Sequence, residues 1–224
     1  MTDTALIEKQ VKSKQRVADH GEVLTSPREV NAMLDLVKHE TDRIDSRFLE
    51  PACGTGNFLT EILNRKLRVV EARYGQSQPD YERYAVLAVS SLYGIDILGD
   101  NVQECRKRLF DIFDQRYTSL FGGRTRGECR SAVQFILDRN IIWGDALSLK
   151  TVDSNPQPIV FSEWSPVNST MLKRRDFTFQ GLLAHEAVKA LPLFSDMGED
   201  VFIPTPKKDY PVTHFLEVVN VDNR

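Results

Sequence analysis

A short apolar stretch followed by two closely spaced glycines constrains the fold of this chain more than any other feature. Phe48-Leu49-Glu50 is typical of a strand that ends on a carboxylate, and Gly54 and Gly56 follow in Gly-x-Gly spacing. Glycine adopts positive φ and lets a backbone approach a ligand closely. A helix that begins near Asn57 would offer free N–H groups and a positive dipole end. The segment therefore predicts a ligand that lies across a strand-to-helix turn.

Strands and helices alternate in the pattern of residues 46–147. The predicted elements, in chain order, are a helix at 28–38, a strand at 47–50, helices at 58–74 and 81–92, a strand at 93–97, a helix at 101–121, a loop at 122–130 and a strand at 139–143. Short connections between alternating elements are typical of an open, mostly parallel sheet covered by helices.

Three carboxylates follow the predicted strands of this sheet, namely Glu50, Asp96 and Asp145. The carboxyl ends of parallel strands meet at one edge of a sheet, and ligands bind in the crevice outside them. We therefore expect the three side chains to converge on one site.

The spacing of the glycines and acids decides against a dinucleotide or ATP as the ligand. Leu59 occupies the place of the third glycine of the dinucleotide fingerprint. Asp96 follows Gly56 by 40 residues, whereas the ribose-binding acid of that fingerprint lies about 20 residues on. A Gly-Lys-Ser/Thr phosphate loop is also missing from the sequence. A cofactor with an amino-acid end and a nucleoside end fits this pattern better.

Four segments resemble, in family order, motifs of the S-adenosylmethionine (SAM)-dependent DNA methyltransferases that modify adenine N6 in restriction–modification systems. The segments are Gly21-Glu22-Val23-Leu24-Thr25-Ser26-Pro27, Glu50-Pro51-Ala52-Cys53-Gly54-Thr55-Gly56, Tyr93-Gly94-Ile95-Asp96-Ile97 and Asn140-Ile141-Ile142-Trp143-Gly144-Asp145-Ala146-Leu147. The resemblance spans residues 21–147, somewhat more than half of the chain. It implies an α/β fold of the Rossmann-like class I SAM methyltransferase type, with a mostly parallel sheet flanked by helices.

The resemblance also implies a role for each matching residue. Gly54 and Gly56 would seat the methionine end of SAM, Asp96 would bind the ribose hydroxyls, and Asp145 would accept a hydrogen bond from the adenine amine. The segment that contains Thr25 and Pro27 would fold over the methionine part. The predicted cofactor-binding residues are Thr25, Pro27, Glu50, Pro51, Ala52, Cys53, Gly54, Gly56, Asp96, Ile97, Asp145 and Ala146. The alternative is a Rossmann-like domain that keeps the loop for its fold, with the acids as helix caps.

The base-holding tetrapeptide of this family is not found in the sequence. Family enzymes flip the adenine out of the duplex and hold it with Asn, Asp or Ser followed by Pro-Pro and an aromatic residue, at the end of the fourth strand. Asn155-Pro156-Gln157-Pro158 departs from that pattern and precedes the plausible fourth strand, residues 159–161. Ser162-Glu163-Trp164-Ser165-Pro166 follows the strand in a different order, and Trp164 is alternatively a core or interface residue. The catalytic residues therefore stay unassigned.

Two explanations for the missing tetrapeptide remain open. The enzyme is split, and a second polypeptide supplies the tetrapeptide and DNA recognition, or the chain is a non-catalytic scaffold or regulatory subunit of a DNA-modifying complex. A methyltransferase that acts on RNA or a small molecule is a third reading. The chain has 224 residues and a net charge of −3, whereas a free-standing DNA-binding module is usually more basic. The short length and the negative net charge favour the split enzyme. In that case the second polypeptide would contact the DNA.

The composition predicts the cellular compartment and argues against disulfide frameworks, zinc sites and membrane spans. The three cysteines, Cys53, Cys105 and Cys129, are widely spaced and give neither a disulfide framework nor a zinc pattern. The first 20 residues are polar and do not resemble a signal peptide. No apolar stretch approaches the roughly 18–20 residues of a membrane span. We expect a cytoplasmic protein without a metal site or a membrane anchor.

Three regions are predicted along the chain. Residues 1–45 form an N-terminal helical segment with the cofactor-closing loop, and residues 46–170 form the SAM-binding α/β domain. Residues 171–224 form a C-terminal extension that completes the sheet or contacts a partner. The charged run Lys173-Arg174-Arg175 is expected on a solvated face, or alternatively in contact with phosphates.

Overall fold

The computed structural model of the chain describes residues 11–168, 170–189 and 204–223. Parts of the predicted regions 1–45 and 171–224 lie outside these residues. The α-helices are α1 (Lys14–His20), α2 (Pro27–Leu36), α3 (Lys38–Thr41), α4 (Asn57–Tyr74), α5 (Gln78–Ser90), α6 (Gly99–Phe121), α7 (Gly127–Asn140) and α8 (Phe179–Lys189). The strands are β1 (Phe48–Glu50), β2 (Leu92–Asp96), β3 (Ile141–Asp145), β4 (Lys150–Thr151), β5 (Val160–Pro166), β6 (Met171–Thr178), β7 (Lys208–Asp209) and β8 (Thr213–His214). Two 3-10 helices cover Gly122–Arg124 and Phe215–Asn223.

The first sheet has four strands in the order β1-β2-β3-β4. The first three strands are parallel, and β4 pairs antiparallel with β3. Leu49 lies beside Tyr93 and Asp96 lies beside Trp143. The predicted α/β arrangement, a mostly parallel sheet flanked by helices, is confirmed at this level.

The second sheet is antiparallel and was not predicted. Its order is β5-β6-β7, and β8 also pairs with β6. The pairing of β5 with β6 extends from Val160 opposite Thr178 to Pro166 opposite Leu172. The expectation that residues 159–161 form a fourth strand of the parallel sheet is therefore wrong, because Val160 and Phe161 pair with β6 instead.

Helix α7 also departs from the sequence prediction, which places a loop at residues 122–130. That segment instead contains the 3-10 helix Gly122–Arg124 and, from Gly127 onward, the first turn of α7. The helix buries Cys129, Ala132, Val133, Ile136 and Leu137, which follow the spacing of one helical face. The apolar stripe was present in the sequence, but its start is obscured by glycines and arginines.

Local sequence explains where α2 begins, ahead of the glycine loop. The Ser26 hydroxyl accepts a hydrogen bond from the Glu29 N–H, and the Glu29 carboxylate accepts one from the Ser26 N–H. This reciprocal capping box, with Pro27 at the first helical position, fixes the start of the helix. The loop that precedes Ser26 is thereby anchored at its carboxyl end.

The two faces of the parallel sheet are covered by different elements. Phe48 and Leu92 face the main core, which is built largely from α2 and α4–α7. The neighbouring residues Tyr93 and Ile95 face a smaller core that includes Phe161 of β5. This difference follows from the alternation of side chains along each strand.

A buried lysine connects the amino ends of β1 and β2. The Lys66 ammonium group on α4 is fully buried and donates to the carbonyl oxygens of Ile44 and Ser46 and to the Ser91 hydroxyl. Burial lowers the pKa of Lys66 to about 7. The unfolded chain holds this proton up to a pKa of about 10.4, so the group links stability to pH.

We predict that the free energy of unfolding rises between pH 7 and pH 8.5 through Lys66. In this window the unfolded state keeps a proton that the folded state loses, and raising the pH favours the folded state. Lys66→Met removes this rise. It also leaves the Ser46 carbonyl without its donor, at a cost of about 1–3 kcal/mol. Urea unfolding at both pH values measures both effects.

The control is Lys107→Met, which alters a lysine on α6 with a side chain that is 74% exposed. This variant keeps the pH dependence of the wild type. Equal slopes of stability against pH in the wild type and in Lys66→Met would contradict the assignment.

Candidate functional site

A cavity of about 540 Å³ lies at the carboxyl ends of β1, β2 and β3, within the roughly 300–1,000 Å³ of small-molecule pockets. Ten of the twelve predicted cofactor-binding residues line it: Thr25, Glu50, Pro51, Ala52, Cys53, Gly54, Asp96, Ile97, Asp145 and Ala146. The three carboxylates that were expected to converge do so, because each lies at or next to the end of its parallel strand.

Pro27 and Gly56 are not part of the cavity wall. Pro27 is the first residue of α2, and Gly56 lies behind the loop as the N-cap of α4, with a φ of 86°. A Cβ on Gly56 would lie 2.5 Å from Cys105 Sγ on α6. Gly56 therefore allows α4 to begin in close contact with α6.

The Cys53 thiol is buried beneath the loop. A hydrogen bond with Cys105 and burial raise its pKa above the usual thiol range. The thiol therefore stays protonated, and its role in the loop is packing. This agrees with the sequence, which offers no neighbouring histidine to activate it.

Gly54 lies where the glycine loop meets the N-terminal loop. Its φ is 51°, and an added Cβ would lie 3.1 Å from Leu24 Cδ2. Its N–H donates to Asp96 Oδ2 at 2.8 Å. The missing side chain therefore leaves room for the residues that close over the cavity.

Asp96 holds the turn after β1 and the turn after β2 together. Besides the Gly54 bond, its Oδ1 accepts from the Leu98 N–H at 2.9 Å and from Asn101 Nδ2 at 3.2 Å. An ionised carboxylate has about four acceptor positions. Three are used within the protein, which leaves capacity for one donor from a ligand.

Asp145 has a different environment at the mouth of the cavity. Its two oxygens accept from the N–H groups of Leu147 and Ser148. These bonds, led by the Leu147 N–H, lower the pKa of Asp145. The carboxylate is therefore ionised and fixed in direction, with open space in front of it.

Apolar side chains stand beside Asp145 at the same mouth. Ile97 and Leu147 both line the cavity, and Leu147 is 95% exposed. The Trp143 indole N–H donates to the Ile97 carbonyl at 3.0 Å and fixes the turn after β2. A flat apolar group that enters this end would remove these side chains from water.

Glu50 is the carboxylate with the fewest partners in the cavity. Burial raises its pKa, and the N–H of Ala52 opposes this rise. An ionised carboxylate in this position is costly unless a cation approaches it. The site is therefore suited to the ammonium group of a ligand.

The start of α4 is fixed by an arginine of α6. The Arg108 guanidinium donates to the carbonyl and hydroxyl oxygens of Thr55 and to Asn57 Oδ1 at 2.6–3.0 Å. Asn57 Nδ2 in turn donates to the Thr25 carbonyl at 2.9 Å. The first-turn N–H groups of α4 lack intrahelical acceptors and form the positive end of its dipole. They provide a place for an anionic group close to Glu50.

An N-terminal strap, residues 12–26, closes one side of the cavity. Arg16 of α1 donates to both oxygens of Glu22 and to both oxygens of Asp100. Glu22 also accepts from Asn101 Nδ2, the same amide that donates to Asp96. The hydrogen bond from Arg16 is the largest cause that lowers the pKa of Glu22. The strap is thus connected to the carboxylate at the centre of the site.

Sequence reasoning missed Glu22 and Asn101 as site residues, although both line the cavity. A polar residue in the first turn after Asp96 was the available signal for Asn101. Glu22 belongs to a segment that was recognised, but its pairing with Arg16 depends on the folded position of α1.

The two segments considered for a base-holding role lie away from the cavity wall. Asn155 is exposed in the connection between β4 and β5, where Gln157 bonds to Thr151. Trp164 is buried, packs edge-on against Phe135 and donates to Asn140. Trp164 is therefore a core residue, as one of the alternatives in the sequence analysis expected, and it does not face the cavity.

The expectation for the run Lys173–Arg175 is wrong at its central residue. Arg174 is 6% exposed and donates to Asp176 and Asp222. It lies within the second sheet, where alternation turns it inward, and is neither on a solvated face nor free for phosphate.

The described residues offer neither a metal site nor a membrane-spanning helix. No group of three or more His, Cys, Asp or Glu side chains in these residues could hold a metal ion. Among the described helices, none is both long and apolar enough to cross a membrane.

Comparison with known protein families, with curated proteins and with solved structures found no match. The geometry of the cavity and the residues that carry the sequence resemblance are therefore the basis for a functional proposal.

We predict that Arg16→Ala loosens the strap without unfolding the protein. The substitution removes the pairing with Glu22 and Asp100, so amide hydrogen exchange in residues 14–26 becomes faster. The partly exposed pairs contribute about 1 kcal/mol or less to global stability. Hydrogen-exchange mass spectrometry and urea unfolding separate the local change from the global one.

Arg28→Ala is the matched control, since Arg28 is exposed on α2 and outside the strap network. It leaves exchange in residues 14–26 unchanged. Equal exchange in Arg16→Ala and the wild type would show that Arg16 does not fasten the strap.

Proposed function

We propose that this chain is the SAM-binding subunit of a split adenine-N6 DNA methyltransferase of a restriction–modification system. The observation that carries the proposal is the convergence of ten predicted residues, from four separate segments, on one cavity. A chance resemblance in sequence does not require the segments to meet in space. We further propose that the parallel β1-β2-β3 unit belongs to a Rossmann-like class I methyltransferase fold.

The amino-acid end of SAM is assigned to the glycine loop. Glu50 would receive the ammonium group, and the first-turn N–H groups of α4 would receive the carboxylate. Gly54 allows a close approach of the backbone, and Thr25 and Leu24 on the strap side cover this end. The opposite charges of the ligand would thus meet complementary groups of the protein.

The nucleoside end is assigned to the acids after β2 and β3. Asp96 would accept a ribose hydroxyl with its remaining acceptor capacity. Asp145, held by two backbone N–H groups, would accept from the adenine amine. Ile97 and Leu147 would contact the faces of the base. When bound, SAM supplies an electrophilic methyl group.

We assign base holding and DNA recognition to a second polypeptide. Among the described residues, the cavity wall carries no segment in the order polar residue, Pro-Pro, aromatic residue. The chain would bind and orient the cofactor, and the partner would hold the flipped adenine. DNA would be contacted through that partner, consistent with a net charge of −3 on this chain.

We predict that the wild-type chain binds SAM in isothermal titration calorimetry. Asp96→Asn and Asp145→Asn each weaken binding about tenfold, which corresponds to the loss of one charge-assisted hydrogen bond of about 1.5 kcal/mol. Asp145 has few buried contacts, so we expect Asp145→Asn to leave the fold intact. This variant therefore tests the site even if Asp96→Asn disturbs the glycine loop.

The control is Asp153→Asn, at an exposed carboxylate after β4 that bonds to the N–H of Asn155. It leaves the affinity for SAM unchanged. No binding by the wild type, or wild-type affinity for SAM in both site variants, would overturn the cofactor assignment and favour acids that serve only as caps.

A non-catalytic scaffold is the second candidate function. It is favoured by one observation, since neither Asn155 nor Trp164 lies in the wall of the cavity. A methyltransferase that acts on RNA or a small molecule is a weaker alternative, because it gives no reason for the resemblance to DNA-modifying enzymes.

We predict that the chain transfers labelled methyl groups from SAM to mixed-sequence DNA only together with its native co-purifying proteins. Activity of the chain alone would refute the split enzyme. SAM binding without methyl transfer, with or without those proteins, would favour the scaffold. RNA of mixed sequence serves as the control substrate and remains unmodified.

A further inference from the structure

Among the described residues, strand β1 has one unpaired edge, here called the free edge. The Phe48 N–H donates to the Ser91 carbonyl, so the polar backbone groups of Phe48 and Glu50 face β2. By the alternation of a parallel ladder, the N–H and C=O of Leu49 point away from β2. In the part of the chain that the structure describes, β2 is the single strand paired with β1.

An apolar groove lies next to this edge. Its volume is about 650 Å³, and its walls include Leu49, Tyr93, Phe161, Phe177 and Leu182. Leu49 is 44% exposed, although Tyr93 beside it on β2 is buried. A free edge beside exposed apolar surface is a template for another strand, and proteins usually block such edges with charges, bulges or coverings.

The rim of the groove is positively charged at one end. Arg47 and Arg175 both donate to the single carboxylate of Glu163. Two guanidinium groups share one carboxylate, which leaves an excess of one positive charge beside the amino end of β1. An acidic group at this end of an occupant would match it.

The free edge leads directly into the candidate site. Leu49 lines the groove, and the next residue, Glu50, lines the cofactor cavity. A strand that runs parallel to β1 would therefore end beside Glu50 and Pro51. The residues after that strand would reach the open mouth where SAM would expose its methyl group.

We infer that the β1 edge and its groove bind, by strand addition, an extended apolar segment of a second polypeptide with an acidic residue at its amino end. The inference rests on the proposed function in one respect: this segment is the one that carries the base-holding tetrapeptide. Main-chain hydrogen bonds to Leu49 give the affinity, and the apolar side chains fill the groove. The parallel direction is set by the arginines at one end and the cavity at the other.

The test uses a synthetic peptide as the probe for the partner segment. It consists of one glutamate, about six apolar, mostly β-branched residues, a typical strand length, and a terminal Asn-Pro-Pro-Tyr. Amide exchange measured by NMR on the full chain reports on Leu49. In the free chain we expect the Leu49 amide to exchange rapidly and the Phe48 amide slowly. The peptide slows exchange at Leu49, and a peptide of reversed sequence does not.

Substitution of the groove supplies the second readout. Leu49→Asp weakens peptide binding, measured by fluorescence anisotropy, by about tenfold or more, since it places a charge against the apolar wall. The control Leu36→Asp alters a leucine that is 82% exposed on α2 and leaves the affinity unchanged. Circular dichroism verifies that both variants are folded.

Several results would overturn the inference. Protection of the Leu49 amide in the free chain at low concentration would show that the chain covers its own edge. Protection that grows with protein concentration would assign the edge to a second copy. If the peptide changes neither the exchange of the Leu49 amide nor the fluorescence anisotropy, the edge and its groove do not bind a strand of this kind.

SAM titrations on the same samples separate this inference from the proposed function. Peptide binding without SAM binding would support the proposed docking surface and contradict the methyltransferase assignment. SAM binding without peptide binding would overturn the docking surface alone.

Discussion

The carboxylate of Asp96 is the interaction on which the rest of the site depends. It joins the N–H of the glycine loop, the turn before α6 and the amide of Asn101. Through Asn101 it is also connected to Glu22 and the strap. Three segments that are distant in sequence are thereby held at fixed distances around one buried charge. Since a buried carboxylate is costly without such partners, the site and the local fold stabilise each other.

The parts of the fold that were predictable from sequence are those encoded by neighbouring residues. The glycine loop and the acids after the strands each depend on a few adjacent positions, and the structure places both where the sequence predicts them. The direction of the strands follows from the helices between them. Convergence of Glu50, Asp96 and Asp145 could therefore be predicted without knowledge of distant contacts.

The parts that were not predictable depend on pairings between distant residues. The sequence pattern places Arg174 on the surface, but the folded chain brings Asp222 to it beside Asp176 of the same strand, and the paired arginine is buried. The apolar run at residues 159–161 fits either sheet, and the pairing of β5 with β6 decides between them. Likewise Arg16 acquires its role only when α1 lies against the start of α6. Sequence pattern reports burial on one face of an element but not the identity of the partner.

The shortness of β1 has a consequence for how this chain can vary. Its residues contribute to two different sites: Leu49 lines the apolar groove, and Glu50 lines the cavity that contains the other carboxylates. Because side chains alternate along a strand, a one-residue insertion or deletion in this stretch would exchange them. A leucine would then replace the carboxylate beside the glycine loop, and a charge would enter the apolar side. We therefore expect this stretch to tolerate the replacement of its apolar side chains by others of similar size. It would not tolerate a change in its number of residues.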